Sequence, residues 1–365
     1  MKTHSLDPEV PAVLLTAPFT RRAVLGTLAA VGLAACGGGG DGTDSGGTGG
    51  APTQQSFTNG SITGFGSIIV NGVRFDDSQA VIVDDEGRSR GRGDLALGMV
   101  VDIDAGAIAT DAVEDKQSGV ARRIEFASEI RGPVQSVDAA GGTFVALGQT
   151  VRVDADTVFH DLANGLASVR AGQLVEVYAF FDESSGSYTA TRVERHTAMA
   201  SYKLRGPVAQ LDAGARRFRI GGLAISYAGV PGAGLPTLAD GTVVRISLNP
   251  DPQGSVWLAL DARPRERRLD EGVEATLEGF VRDFAGAGSF TLNGVAVDAS
   301  GNVRFRGGDR SQLVEGARIH VDGEIRGGVL VAQRIDIMRR GGGGEDFELE
   351  GRIAAYDRAA GTFEL

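Results

Sequence analysis

Short runs of alternating apolar and polar residues follow one another from about residue 60 onward. Two of them, SIIVNGVRFD at 67–76 and SFTLNGVAVD at 289–298, are nearly identical although they lie more than two hundred residues apart. A period of two is typical of a half-buried β-strand. An Asn-Gly pair between two such runs favours a hairpin because both turn residues need positive φ. The pattern therefore predicts repeated β-hairpins.

The opening of each predicted unit is a glycine followed by an extended run. These glycines stand 72, 74, 73 and 72 residues apart, at Gly60, Gly132, Gly206, Gly279 and Gly351. A constant period of this size indicates repetition of one supersecondary unit.

Within each unit the features keep one order. The opening strand is followed by a hairpin that consists of the second and third strands. A polar stretch long enough for one helical turn comes next, and two further strands complete the unit. The third unit departs from the others at its last strand, where ALDARP at 259–264 replaces the usual Ala-x-Arg close. This order is that of an OB-like barrel. We predict an all-β chain of tandem small OB-like five-stranded barrels, with tandem β-sandwich or meander units as the alternative.

The repeat register predicts the following organisation: a signal peptide at 1–35, a lipidated cysteine and flexible Gly-rich linker at 36–57, OB-like repeats at 58–128, 129–201, 202–263 and 275–338, a charged linker at 264–274, a Gly-rich linker at 339–346, and a truncated fifth repeat at 347–365. The first three repeats have almost no spacer, so we expect them to pack end to end. The fifth supplies two strands, which are marginally stable alone. We expect either a shortened chain or strands that cap the fourth repeat.

The N-terminal segment TRRAVLGTLAAVGLAAC at 20–36 has the features of an export signal. Arg21 and Arg22 precede an apolar run that is too short to cross a bilayer as a helix. The arginine pair also resembles a twin-arginine signal, and the residues leave the general secretory route equally open.

The end of this segment, Leu33-Ala34-Ala35-Cys36, resembles the lipobox of bacterial lipoproteins. That resemblance implies cleavage before Cys36 and attachment of lipids that anchor the chain to a membrane. The alternative is an ordinary buried cysteine beside a signal that is not used. Because Gly37 follows the cysteine, we expect an outer-membrane lipoprotein of the cell envelope.

The repeat motifs identify a family. The Gly-x-Ile/Val opening, SIIVNGVRFD, DLALGMVVDID at 94–104 and the Ala-x-Arg-Ile/Val close resemble the bacterial domain of unknown function 5666 (DUF5666), which is found repeated in predicted lipoproteins. The resemblance covers roughly 60–365 and is strongest in the first, second and fourth repeats. It implies an OB-like fold and an envelope setting, and it supplies no activity and no site residues.

Composition narrows the classes of function. Apolar residues make up 42% of the chain, which is enough for folded cores. A net charge of −11 and 6% aromatic residues argue against a nucleic-acid binder, which needs a positive groove and stacking platforms. The single cysteine excludes a disulfide framework and a cysteine-based zinc site.

Candidate polar sites have structural explanations. His160, His196 and His320 fall at unlike positions in their repeats, so we expect scattered surface histidines and no metal site. Asp84-Asp85-Glu86 lacks the spacing of a calcium loop and is expected to form a solvated turn.

Two sets of residues recur from repeat to repeat. The aspartates that end the third strands are expected to accept turn hydrogen bonds, with an array of cation ligands as the alternative: Asp76, Asp154 and Asp298. The arginines of the Ala-x-Arg close are expected to pair with carboxylates across strands: Arg123, Arg192 and Arg334. We predict no catalytic residue, no metal and no cofactor.

We therefore expect a non-enzymatic, lipid-anchored binding or scaffold module with an envelope protein or polysaccharide partner. Repeated modules that each bind weakly would gain avidity. An exported enzyme or enzyme subunit with an unidentified cofactor is the alternative, and it depends on the Arg21-Arg22 pair. An oligonucleotide binder is the least favoured class.

Overall fold

A computed structural model describes residues 55–111, 116–231, 237–264, 269–338, 348–349, 355–357 and 362–364. Within these ranges the chain consists of β-strands and three short 3-10 turns, so the predicted all-β class is confirmed. Across the same ranges, no helix has the length and apolar character that crossing a membrane requires.

Barrel 1 closes as a circuit of five strands. Its elements are β1 (Ser56–Phe65), β2 (Ile68–Val70), β3 (Val73–Asp76), β4 (Val81–Asp84), β5 (Ser89–Arg90), the 3-10 turn η1 (Arg92–Asp94), β6 (Val100–Ala105), β7 (Ala109–Asp111) and β8 (Lys116–Phe126). The antiparallel pairs β1–β2, β2–β3, β6–β8 and β1–β6 are joined by the parallel pair β3–β8. The short β4 adds a parallel partner to the end of β8.

Barrel 2 repeats this arrangement. Its elements are β9 (Ile130–Asp138), β10 (Thr143–Ala146), β11 (Gln149–Arg152), β12 (Val158–His160), the 3-10 turn η2 (Gly165–Ser168), β13 (Leu174–Asp182) and β14 (Ser187–His196). The circuit runs β9-β10-β11-β14-β13 and returns to β9, with β11–β14 parallel.

Barrel 3 has the same circuit with a divided first strand. Its strands are β15 (Tyr202–Pro207), β16 (Ala209–Asp212), β17 (Arg217–Ile220), β18 (Leu223–Ser226), β19 (Val243–Leu248) and β20 (Val256–Pro264). β15 pairs with β19 and β16 pairs with β17, so the interruption at Val208 lets one strand serve both sides of the barrel. β20 includes the divergent ALDARP segment and pairs with β18 and β19 as the fifth strand should.

Barrel 4 completes the set. Its elements are β21 (Glu274–Gly286), β22 (Ser289–Leu292), β23 (Val295–Asp298), β24 (Arg304–Arg306), the 3-10 turn η3 (Arg310–Gln312), β25 (Arg318–Arg326) and β26 (Val329–Ile337). The circuit runs β21-β22-β23-β26-β25 and returns to β21. The predicted tandem five-stranded barrels are confirmed, and η1, η2 and η3 occupy the predicted place before the fourth strand of barrels 1, 2 and 4.

Alternation along the strands fills each barrel with apolar side chains. Ile62, Phe75 and Ile124 are buried in barrel 1, and Leu277 and Ile335 are buried in barrel 4. The cores of barrels 2 and 3 form one continuous cluster. Polar residues on the same strands therefore face outward, toward solvent or toward a neighbouring barrel.

The period of the opening glycines has a steric cause. A Cβ at Gly60 would lie 2.3 Å from Oδ1 of Asn71, and one at Gly279 would lie 2.5 Å from Oδ1 of Asn293. In barrel 2 the corresponding Gly132 lies against Leu147. In barrels 1, 2 and 4 the hairpin turn folds back onto the first strand, so that strand needs a residue without a side chain at this point.

The turn chemistry follows the predictions closely. Asn71 and Asn293 have φ of 52° and 51°, and the glycines that follow them are also positive, as the Asn-Gly signal requires. Oδ1 of Asp76, Asp154 and Asp298 accepts a backbone N–H from the residue two positions on. The structural interpretation of these aspartates is confirmed.

Strand pairing joins the barrels in two pairs. β1 of barrel 1 runs parallel to β21 of barrel 4, from Ser56–Glu274 to Asn59–Leu277. β9 of barrel 2 runs antiparallel to β15 of barrel 3. Consecutive barrels do contact one another, since Phe180 of barrel 2 also packs against the core of barrel 1. The expectation of end-to-end packing did not include the strand contact between barrel 1 and barrel 4.

A buried ionic cluster joins barrel 1 to barrels 2 and 3. Oδ2 of Asp85 lies 3.0 Å from Nζ of Lys203 and 3.2 Å from Nη2 of Arg205, and Nη1 of Arg245 donates to its backbone oxygen at 2.6 Å. Nη1 of Arg205 also donates to Glu129 of barrel 2 at 2.9 Å. The side chains of all five residues are at most 9% exposed.

The Asp84-Asp85-Glu86 segment is therefore not the solvated turn that the sequence predicts. Asp84 accepts from Arg88 and Arg90, and these contacts outweigh the effect of its burial and lower its pKa to about 2. Only Glu86 keeps the surface position expected of the whole segment, in an ion pair with the exposed Arg88.

Within this cluster, burial and the neighbouring carboxylates shift the pKa of each cation in opposite directions. Burial lowers the pKa of the Lys203 ammonium, although Asp85 and Glu176 oppose the shift. Burial also acts to lower the pKa of Arg205, but the carboxylates of Glu129 and Asp85 outweigh it and raise that pKa. Each buried cation thus depends on a carboxylate from another barrel.

Three predicted boundaries need adjustment. β1 begins at Ser56, so the predicted flexible linker at 36–57 does not extend to Phe57. Pro264 ends β20 and Glu274 begins β21, so both ends of the predicted charged linker at 264–274 belong to strands. The Gly-rich linker at 339–346 lies outside the described residues.

The fifth repeat is described at three short strands. β27 (Glu348–Leu349) runs parallel to Gly64–Phe65 of β1, and β28 (Ala355–Asp357) pairs with β29 (Thr362–Glu364). The described pairing of β27 is thus with barrel 1, and not with the fourth repeat that these strands were expected to cap.

The fit between Gly279 and Asn293 leads to a first prediction. Gly279→Ala should lower the free energy of unfolding by about 1–3 kcal/mol, because the whole amide group of Asn293 would have to move. Gly301→Ala is the matched control, since a Cβ there meets nothing within 4 Å. Urea unfolding followed by circular dichroism gives both values. Equal stability of the two variants would contradict the steric explanation of the repeat period.

The ionic cluster leads to a second prediction. Asp85→Asn leaves buried cations without their shared carboxylate and should cost about 3–5 kcal/mol of unfolding free energy. Glu86→Gln, one residue away and at the surface, should change it by less than about 1 kcal/mol. The same urea titration measures both. If Asp85→Asn cost no more than Glu86→Gln, the cluster would not be holding the barrels together.

Candidate functional site

A cleft of about 710 Å³ lies where the four barrels meet. Each barrel contributes lining residues, which include Asn59 and Val100 of barrel 1, Glu129, Ala179–Phe181 and Glu183 of barrel 2, Arg205–Pro207 of barrel 3, and Phe280, Arg282, Asp283, Thr291 and the Asn293-Gly294 turn of barrel 4. The volume is within the range of about 300–1,000 Å³ that small-molecule sites occupy. Because every barrel lines it, the cleft exists only in the assembled unit.

Two largely buried phenylalanine rings lie in the wall of the cleft. Phe180 of barrel 2 and Phe280 of barrel 4 are 5% and 6% exposed, and both pack against the core of barrel 1. The guanidinium carbon of Arg318 lies 5.3 Å from the centre of the Phe180 ring. These contacts fix the rings in place and leave little of either ring accessible from the cleft.

Two asparagines link barrels 1 and 4 beside this surface. Nδ2 of Asn293 donates to Oδ1 of Asn59 at 3.1 Å and to the backbone oxygen of Glu278 at 2.6 Å. Nδ2 of Asn59 donates to Asp102 at 2.7 Å. Asn293 therefore serves three purposes: it forms the hairpin turn, contacts Gly279 and connects two barrels.

The ionisable groups that line the cleft are already paired. Arg205 donates to Glu129, and Nη2 of Arg282 donates to Oε2 of Glu183 at 2.5 Å, which connects barrel 4 to barrel 2. Asp283 accepts from Thr291 at 2.9 Å. Groups held in this way can position a ligand through their remaining lone pairs and N–H groups. This arrangement favours binding over proton transfer.

A smaller cleft of about 360 Å³ lies between barrels 2 and 4. Its lining includes Arg152, Asp154, Asp182, Phe280 and Arg318. The carboxylate of Asp182 accepts hydrogen bonds from the hydroxyl groups of Ser184 and Ser185. Partial burial acts to raise the pKa of Asp182, but these hydrogen bonds outweigh it and lower that pKa. Phe280 borders both clefts, so the two lie on either side of the joint between these barrels.

The histidines do not share one environment. His160 is exposed, as predicted, with its side chain 58% accessible. The surface expectation is wrong for His320, whose side chain is 12% accessible and whose Nε2 lies 2.6 Å from Oδ2 of Asp336. Burial acts to lower the pKa of His320, but the hydrogen bond and charge of Asp336 outweigh it and raise that pKa.

His196 belongs to a group of three metal-ligating side chains. Ligand atoms of Glu176, Glu194 and His196 all lie within 4.8 Å of one another. Burial acts to raise the pKa of Glu176, but His196, Arg131, Lys203 and Ser128 outweigh it and lower the pKa to about 2. The sequence prediction of scattered histidines missed this group.

The recurring arginines only partly follow expectation. Arg334 pairs with Asp322 across the β25–β26 ladder, as predicted. Arg123 and Arg192 instead pair with Glu125 and Glu194 two positions along their own strands. Nη1 of Arg192 also donates to the backbone oxygen of Leu97 at 3.0 Å and so joins barrel 2 to barrel 1.

The predicted export and lipidation residues, Arg21, Arg22, Leu33, Ala34, Ala35 and Cys36, lie outside the described residues. The cleft itself had no signal in the sequence, because its lining comes from four repeats. The Glu194-Arg195-His196 spacing was a weak signal, since residues two apart share one face of a strand.

A comparison with protein families gives one finding. The family model described as domain of unknown function (DUF5666) matches residues 131–194 and 278–336. A search of curated proteins found no match. The two matched segments coincide with barrels 2 and 4, which share their strand order with barrels 1 and 3. The match therefore supports a repeated DUF5666 domain at barrels 2 and 4.

Proposed function

We propose that this protein is a non-enzymatic binding or scaffold module of the cell envelope, held at a membrane by lipids on Cys36, with the central cleft as its ligand site. The observation that supports it most strongly is the cleft of about 710 Å³, to which all four barrels contribute. A site that needs the whole assembly explains why the repeats are kept together and fixed by buried charge.

The lining suggests the chemistry of the ligand. The lining combines phenylalanine side chains with amides, carboxylates and guanidinium groups, which suits a polar ligand that carries both hydroxyl groups and apolar surfaces, such as an envelope polysaccharide. The lining ionisable groups are three carboxylates and two guanidinium groups, so a strongly charged ligand has little net attraction there. A protein partner is the other outcome that the binding experiment distinguishes.

The exported-enzyme alternative has limited support. The Arg21-Arg22 pair is compatible with export of a folded, cofactor-loaded protein, and the group of Glu176, Glu194 and His196 could in principle hold a metal ion. Neither observation supplies a substrate site with a free acid or base beside it.

The binding proposal is tested by capture from envelope extracts. The bait is the chain from residue 37 onward. It is compared with Thr291→Trp, which places an indole in the cleft. The control is Thr150→Trp, which places an indole at an exposed position on a strand of barrel 2. We expect Thr291→Trp to reduce capture of a polysaccharide by about tenfold or more, equivalent to about 1.4 kcal/mol, and Thr150→Trp to retain it. Glycan analysis and mass spectrometry identify the retained material. Equal capture by all three baits would exclude the cleft as the site.

The anchoring proposal is tested by fractionation. The full chain and Cys36→Ser are expressed in a bacterium that processes lipoproteins, and membranes are separated from soluble periplasm. We expect the full chain in the membrane fraction, released only by detergent, and Cys36→Ser in the soluble fraction, because the acyl chains supply the membrane affinity. Membrane retention of Cys36→Ser would overturn the lipid anchor.

A further inference from the structure

The group of Glu176, Glu194 and His196 is built by strand register. Glu176 on β13 lies directly opposite Glu194 on β14, and Leu174 lies opposite His196. Residues two apart on a strand share a face, so all three side chains lie on the outer face of barrel 2 while Val175, Val177 and Val193 fill its core. The β13–β14 ladder therefore holds three ligand-bearing side chains in fixed relative positions.

Each carboxylate has one oxygen held from outside the group. Oε1 of Glu176 accepts from Oγ of Ser128 at 2.7 Å, and Oε1 of Glu194 accepts from Nε of Arg192. The other oxygens face His196: its Nε2 lies 3.2 Å from Oε2 of Glu176 and 3.7 Å from Oε2 of Glu194. Outer donors that fix one carboxylate oxygen and leave the other free are typical of metal sites.

Two of the three distances between ligand atoms are close to those around a tetrahedral ion. Bonds of about 2.0–2.2 Å from zinc to nitrogen and oxygen place neighbouring ligand atoms about 3.3–3.6 Å apart. The two distances from His196 Nε2 lie close to this range on either side. That nitrogen is buried and has no hydrogen bond of good geometry, although it lies beside two carboxylates. An ion between the three atoms would give it a bonding partner.

Barrels 1 and 4 lack the third ligand at the equivalent positions. In barrel 4 the equivalent pair is His320 and Asp336, and the position of His196 is taken by Met338. In barrel 1 the pair is Asp102 and Glu125, and Ala127 takes that position. The complete set of three thus occurs in barrel 2 alone among these equivalent positions.

Nearby cations compete with a metal ion for the two carboxylates. Nε of Arg131 lies 3.4 Å from Oε2 of Glu176, and Arg192 is bound to Glu194. Two carboxylates directly opposite one another repel, and these guanidinium groups together with a protonated His196 would neutralise them without an ion. A metal has to displace the proton of His196 and the contact of Arg131, which only a strongly bound divalent cation would do.

We propose that Glu176, Glu194 and His196 form a divalent-cation site of the zinc class, with three protein ligands and a fourth position open to water. Three ligands with an open position is the arrangement in which zinc retains a water molecule. This site is independent of the proposed ligand cleft, since neither its residues nor its test involves the cleft lining.

Zinc binding to the chain from residue 37 onward is measured by competition with a chromophoric chelator and by calorimetry. We expect one ion per chain, and His196→Ala and Glu176→Gln should each weaken binding by at least about tenfold. His160→Ala is the matched control, because it removes an exposed histidine of the same barrel, and it should bind like the parent.

A second measurement guards against variants that fail to fold. The Tm of each chain is recorded with zinc and with EDTA, and only the parent and His160→Ala should gain Tm from zinc. His196→Gln serves as a second variant of similar size and should also lose the gain. Absence of stoichiometric binding to the parent, or equal binding by the parent and the His196 variants, would show an ion pair only and overturn the site.

Discussion

The arrangement of the four barrels depends on the neutralisation of charge that strand pairing buries. Lys203, Arg205 and Arg245 lie on the first and fourth strands of barrel 3 and become buried when barrel 3 meets its neighbours. Their carboxylate partners come mainly from elsewhere, Asp85 from barrel 1 and Glu129 from barrel 2. Removing charges from water costs several kcal/mol for each ion, so this contact forms only in the one geometry that pairs them.

The repeats use one position to distinguish their neighbours. The residue before the opening glycine is Asn59 in barrel 1, Arg131 in barrel 2, Arg205 in barrel 3 and Glu278 in barrel 4. All four lie on the outer face of the first strand, where barrels meet. Glu278 is fully buried and accepts from Ser61 of barrel 1 at 3.0 Å and from Arg318 of its own barrel at 3.0 Å. Barrels 2 and 3 share an arginine here, but Arg131 lies beside Glu176 of its own barrel whereas Arg205 pairs with carboxylates of other barrels. Equal folds thus acquire unequal partners, which favours one closed arrangement over an open chain of repeats.

The sequence is sufficient to predict the fold of each barrel because the contacts that determine this fold lie within one repeat. Gly279 and Asn293 are fourteen positions apart and define a hairpin that any one repeat contains. Turn aspartates such as Asp76 act within two residues. Alternation, glycine position and Asn-Gly turns therefore predict strand order and barrel closure from one repeat at a time.

The joints and the cleft were not predictable in the same way, because they depend on pairs from different repeats. Nothing near Asp85 in sequence indicates that Lys203 will approach it, so an acidic turn looked solvated. His320 was misplaced for a related reason: alternation places it outside the barrel, but the neighbouring Asp336 and the packing of that face bury it. An outward-facing residue is solvent-exposed only where no other barrel covers it.

Because the barrels share ion pairs across their joints, the repeats of this protein are not independent modules. Independent modules on a string would gain avidity by adding equal weak sites, and each could be removed with a proportional loss. Here, removal of barrel 3 would leave Asp85 and Glu129 without Arg205, and removal of barrel 1 would leave Lys203 and Arg205 without Asp85. Loss of either barrel would therefore break the ion pairs that fix the other barrels in this arrangement. For the binding role proposed above, the unit is therefore the four-barrel assembly, whose cleft, lined by all four repeats, would be one composite site in place of four equal ones.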